Sequence, residues 1–457
     1  MTMPTPRRLL TLTLCLACAI TAPVLAQTLA RPGWVGSGIN TDVWWKHPVV
    51  YQVNPINFNP TEGSGLHGVA QRLDYVQSLG VDALLLTTIQ PDPTHAQSID
   101  PAYGTLDDLD DLIHEASRHN IRILLDLDPQ IPAADLTSVA RFWLNRGIAG
   151  FHVIGATPEA HAQAAELRKV TNTYLGDRIL IGDVDPTLPS SPQQRTYNAP
   201  NPQTTQLLLD TSLGAVKPLN PAAIRSAVES TENVAQTGRS LPLLATDGPS
   251  FPRSMSRYAD GQHDLAIARL LATILFTTRA QPLLYYGQEL GVTTQPASES
   301  TPASPVIAWD APPPPPKGQP VPPSDPATAT PTKIPNAALE EADPASLLNW
   351  YRKLIEIHHS NSTINSGEYL TINRDDQNVL IIIRKPKTVT PTTPILVILC
   401  NLSDQPVKLS IKTDTMRLHL RGSFLRTLLR SDNGMGTMHL ESMTLAPYLA
   451  YIGEMRF

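Results

Sequence analysis

The sequence predicts a (β/α)₈ TIM barrel followed by a small C-terminal β-sandwich domain, and three observations predict this fold class. Before Gly367, short apolar runs alternate with amphipathic segments, which is the pattern of βα units around a parallel sheet. Eight such apolar runs are present, the number of strands that closes a barrel. From Gly367 onward, alternating apolar and polar positions predict a series of strands, which is typical of an antiparallel β domain.

The predicted barrel strands are apolar along most of their length, and they span residues 49–53, 82–87, 122–127, 149–153, 178–181, 206–209, 242–245 and 282–286. Helical periodicity predicts a helix between most of them, at 66–79, 106–118, 134–145, 160–173, 222–236 and 263–278. The segment 186–202 is rich in Pro, Ser and Gln and has no helical pattern. A further helix over 344–358 is expected to complete the barrel.

We place the barrel domain at residues 40–362, without a sizeable inserted domain, and the β-sandwich at residues 366–457. The barrel domain includes a Pro-rich segment, 311–335, whose near absence of apolar side chains predicts an extended surface loop. The predicted strands of the C-terminal domain are 379–383, 395–399, 407–411 and 416–420, followed by a final pair that ends near Ile452.

The first 26 residues have the pattern of a signal peptide. Arg7 and Arg8 precede an apolar stretch, and the segment ends with small residues before a cleavage point after Ala26. The alternative is a lipobox at Cys18, although Cys15 stands where that motif expects Leu. We therefore predict an exported protein, periplasmic or secreted. Its mature form retains Cys400 alone and forms no intrachain disulfide.

Composition limits the classes of partner. The chain has 457 residues, of which 41% are hydrophobic and 17% charged, so it can bury a large core. Its formal net charge is −6, and no basic run follows the first residues, so the composition argues against nucleic acid and anionic membrane surfaces as partners. No later segment is long and apolar enough to span a bilayer. Small neutral molecules are the expected ligands.

A series of spaced motifs covers nearly all of the mature chain; they are Trp44-Trp45-Lys46, Leu73-Asp74-Tyr75, Leu79-Gly80-Val81-Asp82-Ala83, Ile99-Asp100-Pro101, Ser256-Arg257-Tyr258, Leu284-Tyr285-Tyr286-Gly287-Gln288-Glu289-Leu290-Gly291, Trp309-Asp310 and Asp343-Pro344. In this order the motifs resemble the α-amylase family, glycoside hydrolase family thirteen, and within it the branch of α-glucosidases, oligo-1,6-glucosidases and trehalose synthases. The resemblance implies a link to α-glucan or oligosaccharide metabolism.

The run Gly150-Phe151-His152-Val153-Ile154, which begins in the fourth predicted strand and ends one residue after it, resembles the catalytic strand of that family, which reads G-F-R-x-D. The resemblance places the nucleophile at Ile154 and its supporting Arg at His152. It also places the general acid, normally Glu, at Asp183, and the transition-state-stabilising Asp at Asp247.

A retaining glycosidase needs a carboxylate nucleophile and a second carboxyl group as acid and base. Ile154 offers no lone pair, and Asp183 is one methylene shorter than Glu, a displacement of ~1 Å that can cost roughly a hundredfold in rate. The family's Asn-His pair after the third strand is replaced by Gln130 and Ile131, and its Asn-His pair before Asp247 is replaced as well. We therefore predict that conventional glycosidase activity is lost.

Several residues permit two interpretations. Asp247 is either a sugar ligand or a turn former, and His152 is either a ligand-binding residue or a hydrogen-bonded structural histidine. Asp183 and Asp185 could form a new carboxylate pair, but Asp185 lies at the turn where the strand ends. Glu289 is a scaffold residue in the family, and we assign it no chemistry.

Three functions remain open. The first is a non-catalytic protein that binds an α-glucan or oligosaccharide, with Tyr103, Phe251 and Tyr258 as candidate stacking residues. The second is a scaffold for a protein partner, by analogy with the heavy subunits of amino-acid transporters, which resemble α-glucosidases and lack their activity. The third is an active α-glucosidase-type hydrolase or transglycosylase with an altered site built on Asp183 and Asp247. No cofactor is expected, and the loss of the family's Asn at Gln130 predicts no calcium site.

Overall fold

The computed structural model describes residues 43–60, 65–184, 204–236, 240–294, 306–310, 336–432, 434 and 436–456. The predicted signal peptide, the Pro-rich segment 311–335, the segment 186–202 and Asp185 lie outside the described residues. None of the described helices combines the length and the apolar character needed to cross a bilayer.

Eight parallel strands pair in chain order and form a closed barrel, because the first strand pairs with both the second and the eighth. They are β1 Val50–Val53, β2 Ala83–Leu86, β3 Arg122–Leu127, β4 Gly150–Val153, β5 Ile179–Asp183, β6 Leu207–Asp210, β7 Leu241–Ala245 and β8 Gln281–Tyr285. Each overlaps one of the eight predicted runs. The predicted (β/α)₈ barrel is confirmed.

The described helices of the barrel region are α1 Pro55–Phe58, α2 Leu66–Ala70, α3 Leu73–Leu79, α4 Leu106–Arg118, α5 Leu136–Arg146, α6 Pro158–Thr171, α7 Ser212–Ala215, α8 Pro221–Gln236, α9 Ser254–Tyr258, α10 Asp264–Thr277, α11 Ala337–Ala342, α12 Leu347–Ser360 and α13 Ser362–Ser366. The single helix predicted over 66–79 is wrong, because α2 and α3 are separated at Gln71 and Arg72. Val69, Leu73 and Val76 are all buried, so the apolar spacing continues across the break and conceals it.

The C-terminal region forms a six-stranded antiparallel sheet and a separate two-stranded sheet, in agreement with the predicted β-sandwich. The strands are β9 Glu368–Ile372, β10 Val379–Lys385, β11 Leu396–Asn401, β12 Val407–Leu409, β13 Phe424–Arg430, β14 Met438–His439, β15 Met443–Leu445 and β16 Ala450–Arg456. β12 pairs with β15, and the order of the larger sheet is β14-β13-β16-β11-β10-β9. The free thiol of Cys400 is buried in β11.

The strand predicted over 416–420 is wrong, because the chain forms helix α14, Lys412–Arg417, in that region. Ile411 and Thr415, four residues apart, are both buried, whereas Met416 is 61% exposed. Spacing of four residues places side chains on one face of a helix, and this short helix buries that face.

A buried ion network joins the barrel to the C-terminal sheet. Glu232 in α8 accepts hydrogen bonds from the backbone N–H and Nε of Arg279, at 2.6 and 2.7 Å. Arg384 in β10 donates to the same carboxylate at 3.0 Å and also to the carbonyl of Ile364. The side chains of Glu232 and Arg384 are 2% and 0% exposed, so the buried charge of Arg384 depends on Glu232 for compensation, whereas Glu232 also pairs with Arg279.

We predict that Arg384→Met lowers the free energy of unfolding by about 3 kcal/mol, because it removes one partner of a desolvated ion pair. Arg417→Met is the matched control: Arg417 is 75% exposed and pairs with Asp414, so we expect a loss of less than about 1 kcal/mol. Denaturant unfolding of both variants measures the difference. Equal losses would contradict the assignment of Arg384 as the residue that ties the two regions together.

Candidate functional site

A cavity of about 560 Å³ lies at the carboxyl ends of the barrel strands, where the sites of (β/α)₈ enzymes are found. Its volume falls in the range of small-molecule sites. The lining combines apolar side chains with a few acidic and polar ones; it consists of Gln52, Asp126, His152, Ile154, Gly155, Ala156, Thr157, Asp183, Val184, Leu209, Thr211, Ala215, Ala245, Asp247, Gly248, Pro249, Ser250, Phe251 and Leu283.

The neighbouring strands β3, β4 and β5 bring an acid, a histidine and a second acid into one hydrogen-bonded row. The Nδ1 of His152 lies 2.8 Å from the Oδ1 of Asp126, and its Nε2 lies 2.9 Å from the Oδ1 of Asp183. Asp126 is paired in register with His152, so two adjacent strands present these side chains at the same level. The histidine side chain is 5% exposed and bridges both carboxylates.

The charge state of His152 follows from these contacts. Burial by itself would lower its pKa, but the carboxylates of Asp183 and Asp126 outweigh that effect and raise the pKa to about 10. The imidazole is therefore protonated at neutral pH, and each ring nitrogen donates to one carboxylate. His152 is a hydrogen-bonded histidine in a structural bridge, and it also lines the cavity.

Asp183 is held on both sides of its carboxyl group. Its Oδ1 faces His152, and its Oδ2 accepts a hydrogen bond of 2.6 Å from the backbone N–H of Gly155. Gly155 has a φ of +100°, a left-handed conformation that glycine adopts readily and that turns its N–H toward Asp183. Burial raises the pKa of Asp183, but the His152 charge and the two hydrogen bonds lower it below its usual value. At neutral pH, Asp183 is therefore ionised and has no proton to donate as a general acid.

The position that the resemblance assigns to the nucleophile carries an apolar side chain. Ile154 follows β4 directly and lines the cavity, where the resemblance places a carboxylate. Its side chain can contribute apolar contact to a ligand but no covalent bond to a sugar.

Asp247 follows β7 and is 1% exposed, although it contributes to the cavity lining. Its Oδ2 accepts from the hydroxyl of Ser254 at 2.8 Å, and its Oδ1 accepts from the backbone N–H of the same residue. Thr246 also donates to Oδ2, at 3.3 Å. Both oxygens of Asp247 thus hold the start of helix α9 against the barrel.

The three candidate stacking residues lie in different places. Phe251 lines the cavity. Tyr258 is buried and donates its hydroxyl to the carbonyl of Val216, and Tyr103 lies in the loop before α4, where its carbonyl accepts from the N–H of Leu66. Neither tyrosine belongs to the cavity lining.

Glu289 has a role in packing. It is fully buried and accepts hydrogen bonds from the hydroxyl groups of Tyr51 and Tyr75, at 2.8 and 2.6 Å. Burial raises its pKa. Its position among aromatic side chains behind the barrel wall agrees with a scaffold role.

Two residues of the site were not predicted as such from the sequence: Gln52 and Asp126. The Nε2 of Gln52 lies 3.5 Å from the Oδ2 of Asp126. A sequence signal existed for both, because each is a polar side chain inside a strand whose neighbours are apolar. In (β/α)₈ barrels, residues of the site come from the carboxyl ends of several different strands.

The resemblance matches the family's calcium-binding region to Gln130 and Ile131. Gln130 is exposed and its backbone N–H bonds to Asp128 at 2.8 Å, while Ile131 is buried. Within the described ranges, no group of three or more His, Cys, Asp or Glu side chains is arranged to hold a metal ion.

The chain is similar in sequence to a known family model and to several known proteins. The sequence model described as "Alpha amylase, catalytic domain" matches residues 52–130. The amino acid transporter heavy chain SLC3A2 of Oryctolagus cuniculus is 24% identical over 357 residues, which cover 71% of this chain and 61% of that protein. A probable alpha-glucosidase of Rhizobium meliloti is 24% identical over 477 residues, covering 71% of this chain and 84% of that protein. This chain thus spans less than two thirds of the transporter heavy chain.

The fold has close counterparts among solved structures. The crystal structure of isomaltulose synthase from Klebsiella sp. LX3 matches with a TM-score of 0.72 and 18% identity, over 91% of this chain and all of that one. This likeness shows the fold of the chain, a (β/α)₈ barrel with a C-terminal β domain. The predicted resemblance to the α-amylase family, in its α-glucosidase-like branch, is confirmed.

We predict that His152 remains an imidazolium well above the usual histidine pKa of ~6.5. Its ¹⁵N NMR signals should keep the doubly protonated pattern until the pH approaches about 10. His358 is the internal contrast, because burial, together with the neighbouring His359 and His47, lowers its pKa to about 3 and keeps it neutral. A neutral His152 ring near pH 8 would contradict a protonated bridge between Asp126 and Asp183.

The same raised pKa has a consequence for stability. Because the folded pKa of His152 lies above the unfolded value, its contribution is fully present below about pH 6.5 and is lost as the pH rises through about 10. The free energy of unfolding should therefore fall across this window by more in the natural protein than in a His152→Gln variant. Parallel pH profiles of the two proteins would contradict the expectation.

Proposed function

We propose that this protein is a catalytically inactive α-amylase-type homologue that binds an α-glucan fragment or another oligosaccharide in its barrel cavity. One observation carries the proposal: Ile154 stands at the nucleophile position, and the neighbouring Asp183 is held as an ionised carboxylate by His152 and Gly155. The catalytic pair of a retaining glycosidase is thus replaced by an apolar side chain and a structural carboxylate.

An altered mechanism has little support from the same contacts. An inverting enzyme needs one protonated carboxylic acid and one carboxylate that activates water. Asp183 has a lowered pKa, and both oxygens of Asp247 are engaged with Ser254. The two aspartates that could rebuild the chemistry are therefore committed to holding the barrel ends and helix α9.

Sugar binding is supported by the cavity and by the relatives. The cavity is retained at the usual site of the fold, and Phe251 offers it an aromatic surface. One relative is named as a probable alpha-glucosidase, and a structural neighbour as isomaltulose synthase. Another relative is named as a transporter heavy chain, so similarity to this group of proteins does not by itself imply hydrolysis.

We predict no turnover when the purified mature protein is incubated with maltose, isomaltose, trehalose or longer malto-oligosaccharides, because no carboxylate stands at position 154. Chromatography of the products measures this. The double variant Asp183→Ala, Asp247→Ala is the control for trace activity from a contaminating enzyme. Turnover that disappears in the double variant would replace the proposal with an enzyme rebuilt around these aspartates.

Export is the second part of the proposal, and it is supported by the pattern of residues 1–26. We predict that the mature protein isolated from the producing cells begins at Gln27. N-terminal sequencing and intact mass measure this directly. A lipid-modified chain that begins at Cys18 would favour the lipobox alternative, and an intact Met1 would contradict export by cleavage.

A further inference from the structure

The cavity has an unbalanced charge. Its described lining contains three carboxyl groups, on Asp126, Asp183 and Asp247, against the single imidazole of His152. Lys and Arg are absent from that described lining. A carboxylate cluster in a site of reduced dielectric favours a positively charged ligand, and its attraction is stronger there than in water.

Two of these carboxyl groups retain capacity to accept a hydrogen bond. The Oδ2 of Asp126 has the amide of Gln52 as its neighbour at 3.5 Å, beyond the usual length of an N–H···O bond. The side chain of Asp183 is 21% exposed, the highest fraction of the three groups in the row with Asp126 and His152. A carboxylate has about four acceptor sites, so its existing bonds leave room for another donor.

The remaining walls are apolar. Ile154, Leu209 and Leu283 line the cavity together with the ring of Phe251. Surfaces of this kind pack against the C–H faces of a pyranose ring, and the cavity volume of about 560 Å³ accommodates such a ring. The cavity thus pairs an apolar surface with an acidic row at the ends of β3 and β5.

We propose that this cavity binds a protonated amino sugar, a pyranose ring whose ammonium group donates to Asp183 and Asp126, in preference to a neutral sugar of the same size. The inference rests on the proposed function and specifies the ligand class of the same cavity. Hydrogen bonds from an ammonium group to a carboxylate are roughly twice as strong as neutral ones, whereas a hydroxyl at the same ring position gains no charge.

Calorimetric titration of the full mature protein with glucosamine, glucose and N-acetylglucosamine tests the inference at a mildly acidic pH, where the amine is protonated. The three sugars share one ring and differ in charge at a single substituent. We expect glucosamine to bind about tenfold more tightly than glucose, the ratio given by one additional charge-assisted contact. N-acetylglucosamine, which is neutral, should show no such gain.

Two variants and a matched control test which residues cause the preference for glucosamine. Asp183→Asn should remove most of the preference for glucosamine, and Asp74→Asn, on a side chain that is 94% exposed, is the matched control and should leave it unchanged. Ala156→Trp places a large ring in the cavity lining without removing a charge, and should weaken all binding. Circular dichroism verifies that each variant is folded.

The outcomes separate this inference from the proposed function. Equal affinities for glucosamine and glucose, or no binding of any of the three sugars, would overturn the amino-sugar inference. A preference that Asp74→Asn abolishes as fully as Asp183→Asn would also overturn it, since it would reflect the overall charge of the protein. Hydrolysis of glucosides in the chromatographic assay would overturn the proposed inactivity instead and would leave the charge preference standing.

Discussion

Closure of the eight-stranded sheet is the constraint on which the rest of the molecule depends. The pairing of β1 with β8 closes the ring, and the register between β3 and β4 within it places Asp126 level with His152. Once the ring is closed, the carboxyl ends of all eight strands face one space. An inward-facing side chain at such a position contributes to the cavity whether or not it takes part in chemistry, because inward and outward side chains alternate along each strand.

The row Asp126–His152–Asp183 contains two residues at positions that the family resemblance assigns to the catalytic site. In the family resemblance, Asp183 stands at the acid position and His152 at the Arg position; here the two neutralise each other and connect strands β4 and β5. The contacts that make Asp183 a poor acid make it a good structural acceptor, because an ionised carboxylate forms the stronger hydrogen bonds. The proposed loss of catalysis and the cohesion of the barrel rim therefore have the same physical cause.

Much of the fold could be predicted from the sequence because its signals are local. The six residues of β3 and the whole of α4 follow directly from apolar spacing, and the observed bounds are Arg122–Leu127 and Leu106–Arg118. The break between α2 and α3 could not be predicted, because the buried face continues across it. Helix α14 was missed because its pattern is as short as that of a strand, and tertiary packing of Ile411 and Thr415 decided between them. The contacts within the cavity depend on the register between strands that are distant in sequence. Periodicity along one strand carries no information about that register.

The charged network at Glu232 gives the molecule a particular kind of cooperativity. Its carboxylate pairs with Arg279 in the barrel and with Arg384 in the C-terminal sheet, so separation of the two regions would leave the buried guanidinium of Arg384 without its acidic partner. The β domain and the barrel are thus joined by a buried ion pair. A fragment cut between them would retain every strand of the ring and the ion pair of Glu232 with Arg279, whereas the separated β domain would carry the cation of Arg384 without a carboxylate to compensate it.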